Sequence, residues 1–128
     1  MNKLKVGLSI LALSAIGATS ISVLKAQTKA PVYAVLEFGE MTDPDAWIKA
    51  VSATEPRATL SMGGKFVVRT TKIVTLDGDQ PPVRFTMIEF DSQEKLNEWR
   101  NSKEIKTLNE VRLKATKSRS FMVEGATN

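Results

Sequence analysis

From residue 32 the chain alternates with period two. In the stretch VYAVLEF, Val32, Ala34, Leu36 and Phe38 share one side of a strand, while Tyr33, Val35 and Glu37 share the other. Both sides are mostly apolar, which predicts a strand covered on both faces. TDPDAW then changes the period: Asp43 suits an N-cap, Pro44 the first helical position, and Asp45 the positive end of the dipole. Trp47, Val51, Thr54 and Ala58 follow at helical spacing, with Pro56 expected to kink or restart the helix. MGG ends it, because Gly63 or Gly64 can adopt the left-handed C-cap conformation.

KFVVRT and KIVTL read as short strands around Thr70-Thr71, and DGDQPP as a turn. VRFTMIEF is the longest strand, placing Val83, Phe85, Met87 and Glu89 on one face and Thr86, Ile88 and Phe90 on the other. DSQE opens a helix with Asp91 as cap and Glu94 three residues on. It carries Leu96 and Trp99 inward. NSKE opens another in the same way, with Asn101 as cap and Glu104 three residues on, so Trp99 to Ser102 is a joint between two helices. Ile105, Leu108, Val111 and Ala115 form the apolar stripe of the second, and SFMVEG closes as a strand. The order β-α-β-β-α-β is the ferredoxin-like split βαβ plan, class α+β, with helices on one face of an antiparallel sheet. Apolar residues on the second face call for a second copy of the chain, hence a homodimer.

The start of the chain follows different rules. Lys3 and Lys5 precede an uncharged apolar run from Val6 to Gly17, then small residues up to Ala26. This is the layout of a secretory signal peptide over residues 1–26, cleaved near Ala26, with an uncleaved membrane anchor as the rival reading. The expected organisation is signal 1–26, linker 27–31, one domain over 32–125 and a tail 126–128, in a periplasmic or secreted protein. The whole chain carries a net charge of +4. Losing Lys3, Lys5 and Lys25 lowers the 18 basic residues to 15 against 14 acidic ones, a net charge of +1. A nucleic-acid partner is therefore not expected, nor a membrane once the signal is removed. With no cysteine and no histidine, thiol nucleophiles, disulfides, imidazole metal sites and histidine bases are excluded. No metal or other cofactor is called for, and haem ligation is disfavoured on the same grounds.

TDPDAW, GGKFVVR, LDGDQPPVRFTMIEFDSQEKLNEWRNSKE and KSRSFMVEG together resemble the bacterial family known as domain of unknown function 1330, over about residues 31 to 125. The resemblance implies the dimeric α+β barrel, in which two ferredoxin-like sheets pack face to face. Small monooxygenases of antibiotic synthesis and several haem-processing enzymes share that fold, but the family has no established activity, and a fold does not supply one. The present chain departs from the family pattern: Trp47, Ala50 and Ile105 stand where tyrosines are common, Met62 replaces a frequent histidine, and Thr70-Thr71 replaces a glycine pair.

Three charges occupy positions where the periodicity asks for apolar residues. Glu89 continues the Met87 face, Arg69 ends KFVVR on the face of Val67, and Arg112 lies on the stripe of Ile105 and Leu108. Together with Trp99 as a wall and Ser102 at the mouth, Arg69, Glu89 and Arg112 form the candidate ligand site for a small anionic or carbonyl-bearing molecule. Catalytic residues are not identifiable. The enzymatic alternative is a cofactor-independent oxygenase or isomerase using Glu89 as acid or base, with Arg69 or Arg112 holding an anion. The structural alternative is an Arg69–Glu89 pair and an Arg112 that reaches out to water, with Trp99 and Trp47 in the core and Asn101 and Ser102 as caps. Gly63-Gly64 precedes a strand and is no phosphate loop.

Overall fold

A computed structural model of the chain describes residues 30–127, so the signal-peptide reading and residues 27–29 of the linker lie outside the described residues. The elements run β1 (Val32–Met41), α1 (Pro44–Ser61), β2 (Lys65–Thr70), β3 (Arg84–Phe90), α2 (Gln93–Asn101), α3 (Lys103–Ala115) and β4 (Thr116–Glu124). The strands form an antiparallel sheet in the order β2-β3-β1-β4. This is the ferredoxin-like α+β arrangement, with β1 and β3 at the centre and β2 and β4 at the edges.

Register fixes which side chains face the helices. Val32, Ala34, Leu36 and Phe38 lie opposite Phe90, Ile88, Thr86 and Arg84 on β3, and opposite Glu124, Met122, Ser120 and Ser118 on β4. Val32, Ala34, Leu36, Phe38, Ile88 and Phe90 build the core with Trp47 of α1, Leu96 and Trp99 of α2, and Ile105, Leu108 and Ala115 of α3. Two aromatic contacts clamp helices to the sheet. Phe38 meets Trp47 at 5.3 Å between ring centroids, and Phe90 meets Trp99 at 5.2 Å, both tilted as ring quadrupoles favour. The Trp99 indole N–H donates to Thr59 Oγ1 at 3.0 Å, which satisfies a buried donor and ties α2 to α1.

The second sheet face carries Tyr33, Val35 and Glu37 of β1, Phe85, Met87 and Glu89 of β3, and Arg119, Phe121 and Val123 of β4. Val35 is buried between Met87 and Phe121, while Phe121 and Val123 remain exposed at the margin. Arg119 bonds Glu37 beside this apolar strip and lies over the Phe121 ring.

Several local expectations are corrected. Residues 72–76 form no strand: β3 already pairs with β2 on one side and β1 on the other, so this segment has no ladder to join. Its Val74 and Leu76 are 82% and 91% exposed. Helix α1 runs as one element through Pro56. Pro56 and Ser52 are both exposed, so the Ser52 carbonyl that loses its N–H partner faces water. Both later caps move by one residue. Ser92, not Asp91, caps α2 by accepting from the Lys95 N–H at 3.2 Å, and Ser102, not Asn101, caps α3 by accepting from the Ile105 N–H. Glu94 and Glu104 then lie in the first turn, where they complement the helix dipole without closing a capping box. At the end of α1, Gly63 takes the left-handed conformation with φ +83°. β4 begins at Thr116 rather than near Ser120, which adds a polar stretch to the helix-facing side.

Candidate functional site: a buried arginine beside a small cavity

The structure does not bring the five sequence-selected residues together. Glu89 is half-buried on the face away from the helices, between Tyr33 on β1 and Lys65 on β2. Arg69 lies opposite Thr86, on the helix side, with its guanidinium 4.8 Å from the centroid of the Phe66 ring. The register of β2 shifts between Phe66 and Val68, and this bulge moves Arg69 from the face of Lys65 to that of Phe66. Arg69 and Glu89 therefore stand on opposite faces of the sheet, where the expectation had placed them together. Ser102 is occupied as a cap: besides accepting from Ile105, its hydroxyl donates to the Trp99 carbonyl at 2.7 Å.

Arg112 behaves differently from both expectations for it. It does not reach out to water, since it is 5% exposed on the inner stripe of α3. Its Nε–H donates to Asn109 Oδ1 at 3.3 Å and one terminal nitrogen donates to Ser118 Oγ at 2.8 Å. Both partners are neutral, and among the described residues Arg112 makes no ion pair. Burial, and then the positive charge of Arg100, hold its pKa below the usual guanidinium range. A desolvated cation without a counter-ion is costly, so an internal position like this one calls for an anion.

A cavity of about 70 Å³ lies between α2, α3 and the β1–β4 side of the sheet; Arg112 forms none of its wall and reaches it only through Asn109, which does. Its walls include Ala34, Leu36, Leu96, Trp99 and Met122, with Arg100, Asn109 and Ser120 as the polar lining. Arg100 and Asn109 also border a wider groove of about 350 Å³ that runs past Lys106 and Glu110. Two of the five expected residues, Trp99 and Arg112, thus belong to this region. Asn109, Ser118, Ser120 and Arg100 were missed. Asn109 was readable as the i−3 neighbour of Arg112 on one helix face. Ser120 was already the first residue of the expected last strand, whereas Ser118 becomes visible only once β4 is extended back to Thr116.

Fold and cavity together define a ferredoxin-like α+β protein with a small arginine-fringed cavity between its helices and its sheet. The chain belongs to the family described as Domain of unknown function (DUF1330), whose model matches residues 31–126. Among solved structures it is similar to a protein of unknown function from Rhodopseudomonas palustris, at 15% identity and a TM-score of 0.60, covering 86% of this chain and 94% of that one. It is also similar to an ethyl tert-butyl ether d (ethd) family protein from Bacillus halodurans, at 15% identity and a TM-score of 0.58, covering 75% and 99%. A dimeric ferredoxin-like protein of unknown function from Thermobifida fusca matches at 9% identity and a TM-score of 0.54, covering 75% and 92%. Such identities show the fold alone. Among curated proteins none matches significantly.

Proposed function

We propose that this chain is an exported homodimeric binding protein that holds a small anionic or carbonyl-bearing molecule in one pocket per subunit, beside Arg100, Asn109 and Arg112. The observation that carries this reading is the burial of Arg112 among neutral partners, one of which, Asn109, lines a cavity together with a second arginine, Arg100. An anion there would face Arg100 and the Asn109 amide that Arg112 orients, and would offset the repulsion between the two guanidinium groups. The enzymatic alternative has less support, because Glu89 and Arg112 belong to opposite sides of the sheet. Thermal unfolding with sodium acetate against a bulky sulfonate buffer at equal ionic strength tests the binding reading. Acetate should raise the midpoint for the natural chain and not for Arg100→Gln. No shift in either protein would refute it.

The dimer reading rests on the second sheet face. Val35, Phe85, Met87, Phe121 and Val123 form an apolar strip on the sheet face opposite α1, α2 and α3, uncovered by any helix among the described residues, and the Thermobifida fusca relative is described as dimeric. Met87→Asp places a charge in the middle of that strip without touching the helix-side core. It should convert a species of twice the subunit mass into a folded monomer in light scattering at micromolar concentration. A natural chain that is itself monomeric across that range would sink the idea.

Export rests on the basic start and apolar run of residues 1–26. Intact-mass analysis of a periplasmic extract should find a chain beginning near Gln27. A full-length species confined to the membrane fraction would contradict it.

A further inference from the structure

The chemistry of the cavity narrows the class of anion. Asn109 turns its Oδ1 to the Arg112 guanidinium, so its amide NH₂ is the end left to donate elsewhere. Arg100 can only donate, and the Ser120 hydroxyl is able to. The polar part of the lining is therefore rich in donors, with Arg112 acting as a positioning residue that sets the Asn109 amide. The rest of the cavity is apolar: Ala34 and Leu36 come from the central strand β1, and Leu96 and the Trp99 ring from α2. Inorganic oxyanions such as phosphate have no apolar part to match these walls. An engineered cavity of ~150 Å³ takes a benzene ring, so a space of about half that size suits roughly three carbon atoms.

We infer that the pocket takes a monocarboxylate with a short unbranched tail, its carboxylate at Arg100, Asn109 and Ser120 and about three tail carbons against Trp99, Leu96 and Leu36. This rests on the anion-binding reading above and adds the ligand class. Each methylene that enters the cavity should tighten binding about fourfold, and carbons beyond the third should add little because the apolar space is filled. A dicarboxylate of the same length would carry its second charge into the apolar end and should bind poorly.

The test is a chemical-shift titration of the mature protein, following the Trp99 indole N–H, which the Thr59 hydroxyl holds in place. Trp47→Phe assigns the signal by removing the other indole. The probes are sodium acetate, propionate, butyrate and hexanoate, with succinate, inorganic phosphate and 1-butanol alongside. The inference expects affinity to rise from acetate to butyrate and level off at hexanoate. Succinate, phosphate and butanol should each be at least tenfold weaker than butyrate. Phosphate or succinate equal to butyrate would overturn the tail assignment while leaving the anion reading standing. Butanol equal to butyrate would overturn the anion reading and show a plain apolar pocket. No response to any probe would overturn both.

Discussion

Phe90→Ala should lower the unfolding free energy by about 3–5 kcal/mol, the range for deleting a buried aromatic ring. Phe90 is 1% exposed at the end of β3, lies opposite Val32, and meets the Trp99 ring at 5.2 Å. Its removal withdraws the ring that fixes the tilt of Trp99. The void then lies beneath the helix whose indole N–H reaches Thr59 on α1. The layer cannot easily collapse into it, because Ile88 beside it is held in a central strand with hydrogen-bonded neighbours on both sides. Domains of this size have total stabilities of only about 5–15 kcal/mol, so the variant should sit near the edge of folding at room temperature. Urea unfolding followed by tryptophan fluorescence checks this. A loss below about 1.5 kcal/mol would mean that β3 and α2 are not packed as described.

Arg112→Met should have the opposite character. Removing one member of a buried ion pair costs about 3–5 kcal/mol, because the other charge is left uncompensated. Arg112 has no such partner among the described residues; it bonds Asn109 and Ser118, both half-buried and neutral. After the change, Ser118 keeps the Thr116 hydroxyl as a neighbour at 2.9 Å, and the Asn109 amide can turn toward the groove it already borders. Methionine fills the space of the arginine stem and needs no hydration. The expected outcome without ligand is a protein as stable as the natural one, or more stable by about 1 kcal/mol, with acetate binding reduced at least tenfold. That combination marks a residue kept for binding at the expense of stability. A loss of 3 kcal/mol or more in the same urea series would instead make Arg112 a structural bolt.

The fold was largely legible because its determinants are periodic. Val32, Ala34, Leu36 and Phe38 alternate cleanly, and that alternation fixes which side of β1 packs against the helices. The splice between α2 and α3 was also readable, although both caps fell one residue early. Asp91–Ser92 and Asn101–Ser102 each offer two good capping side chains in a row, and propensity cannot choose between neighbours of similar strength. The candidate site was less legible, for a reason in the backbone. A single bulge in β2 exchanges the faces on which its residues lie, so Arg69 and Glu89 separate although simple alternation placed them together. Arg112 was found as a charge on an apolar stripe, but its burial without a carboxylate depends on what α3 and β4 place around it. Periodicity along one helix carries no such information. KIVTL was misread because β-propensity describes a segment's preference and not the availability of an edge to pair with.

The most direct test of the anion site compares the natural chain and Arg112→Met in urea, with and without sodium acetate, against a bulky sulfonate buffer at matched ionic strength. Urea is preferred because guanidinium chloride would add ions of both signs. At ten to thirty times the dissociation constant, acetate should stabilise the natural chain by about 1–2 kcal/mol and leave the variant unchanged. The order of stabilities should therefore depend on the ligand, with the variant equal or ahead without acetate and the natural chain ahead with it. A natural chain that exceeds the variant by several kcal/mol in both buffers, with no response to acetate, would contradict the account.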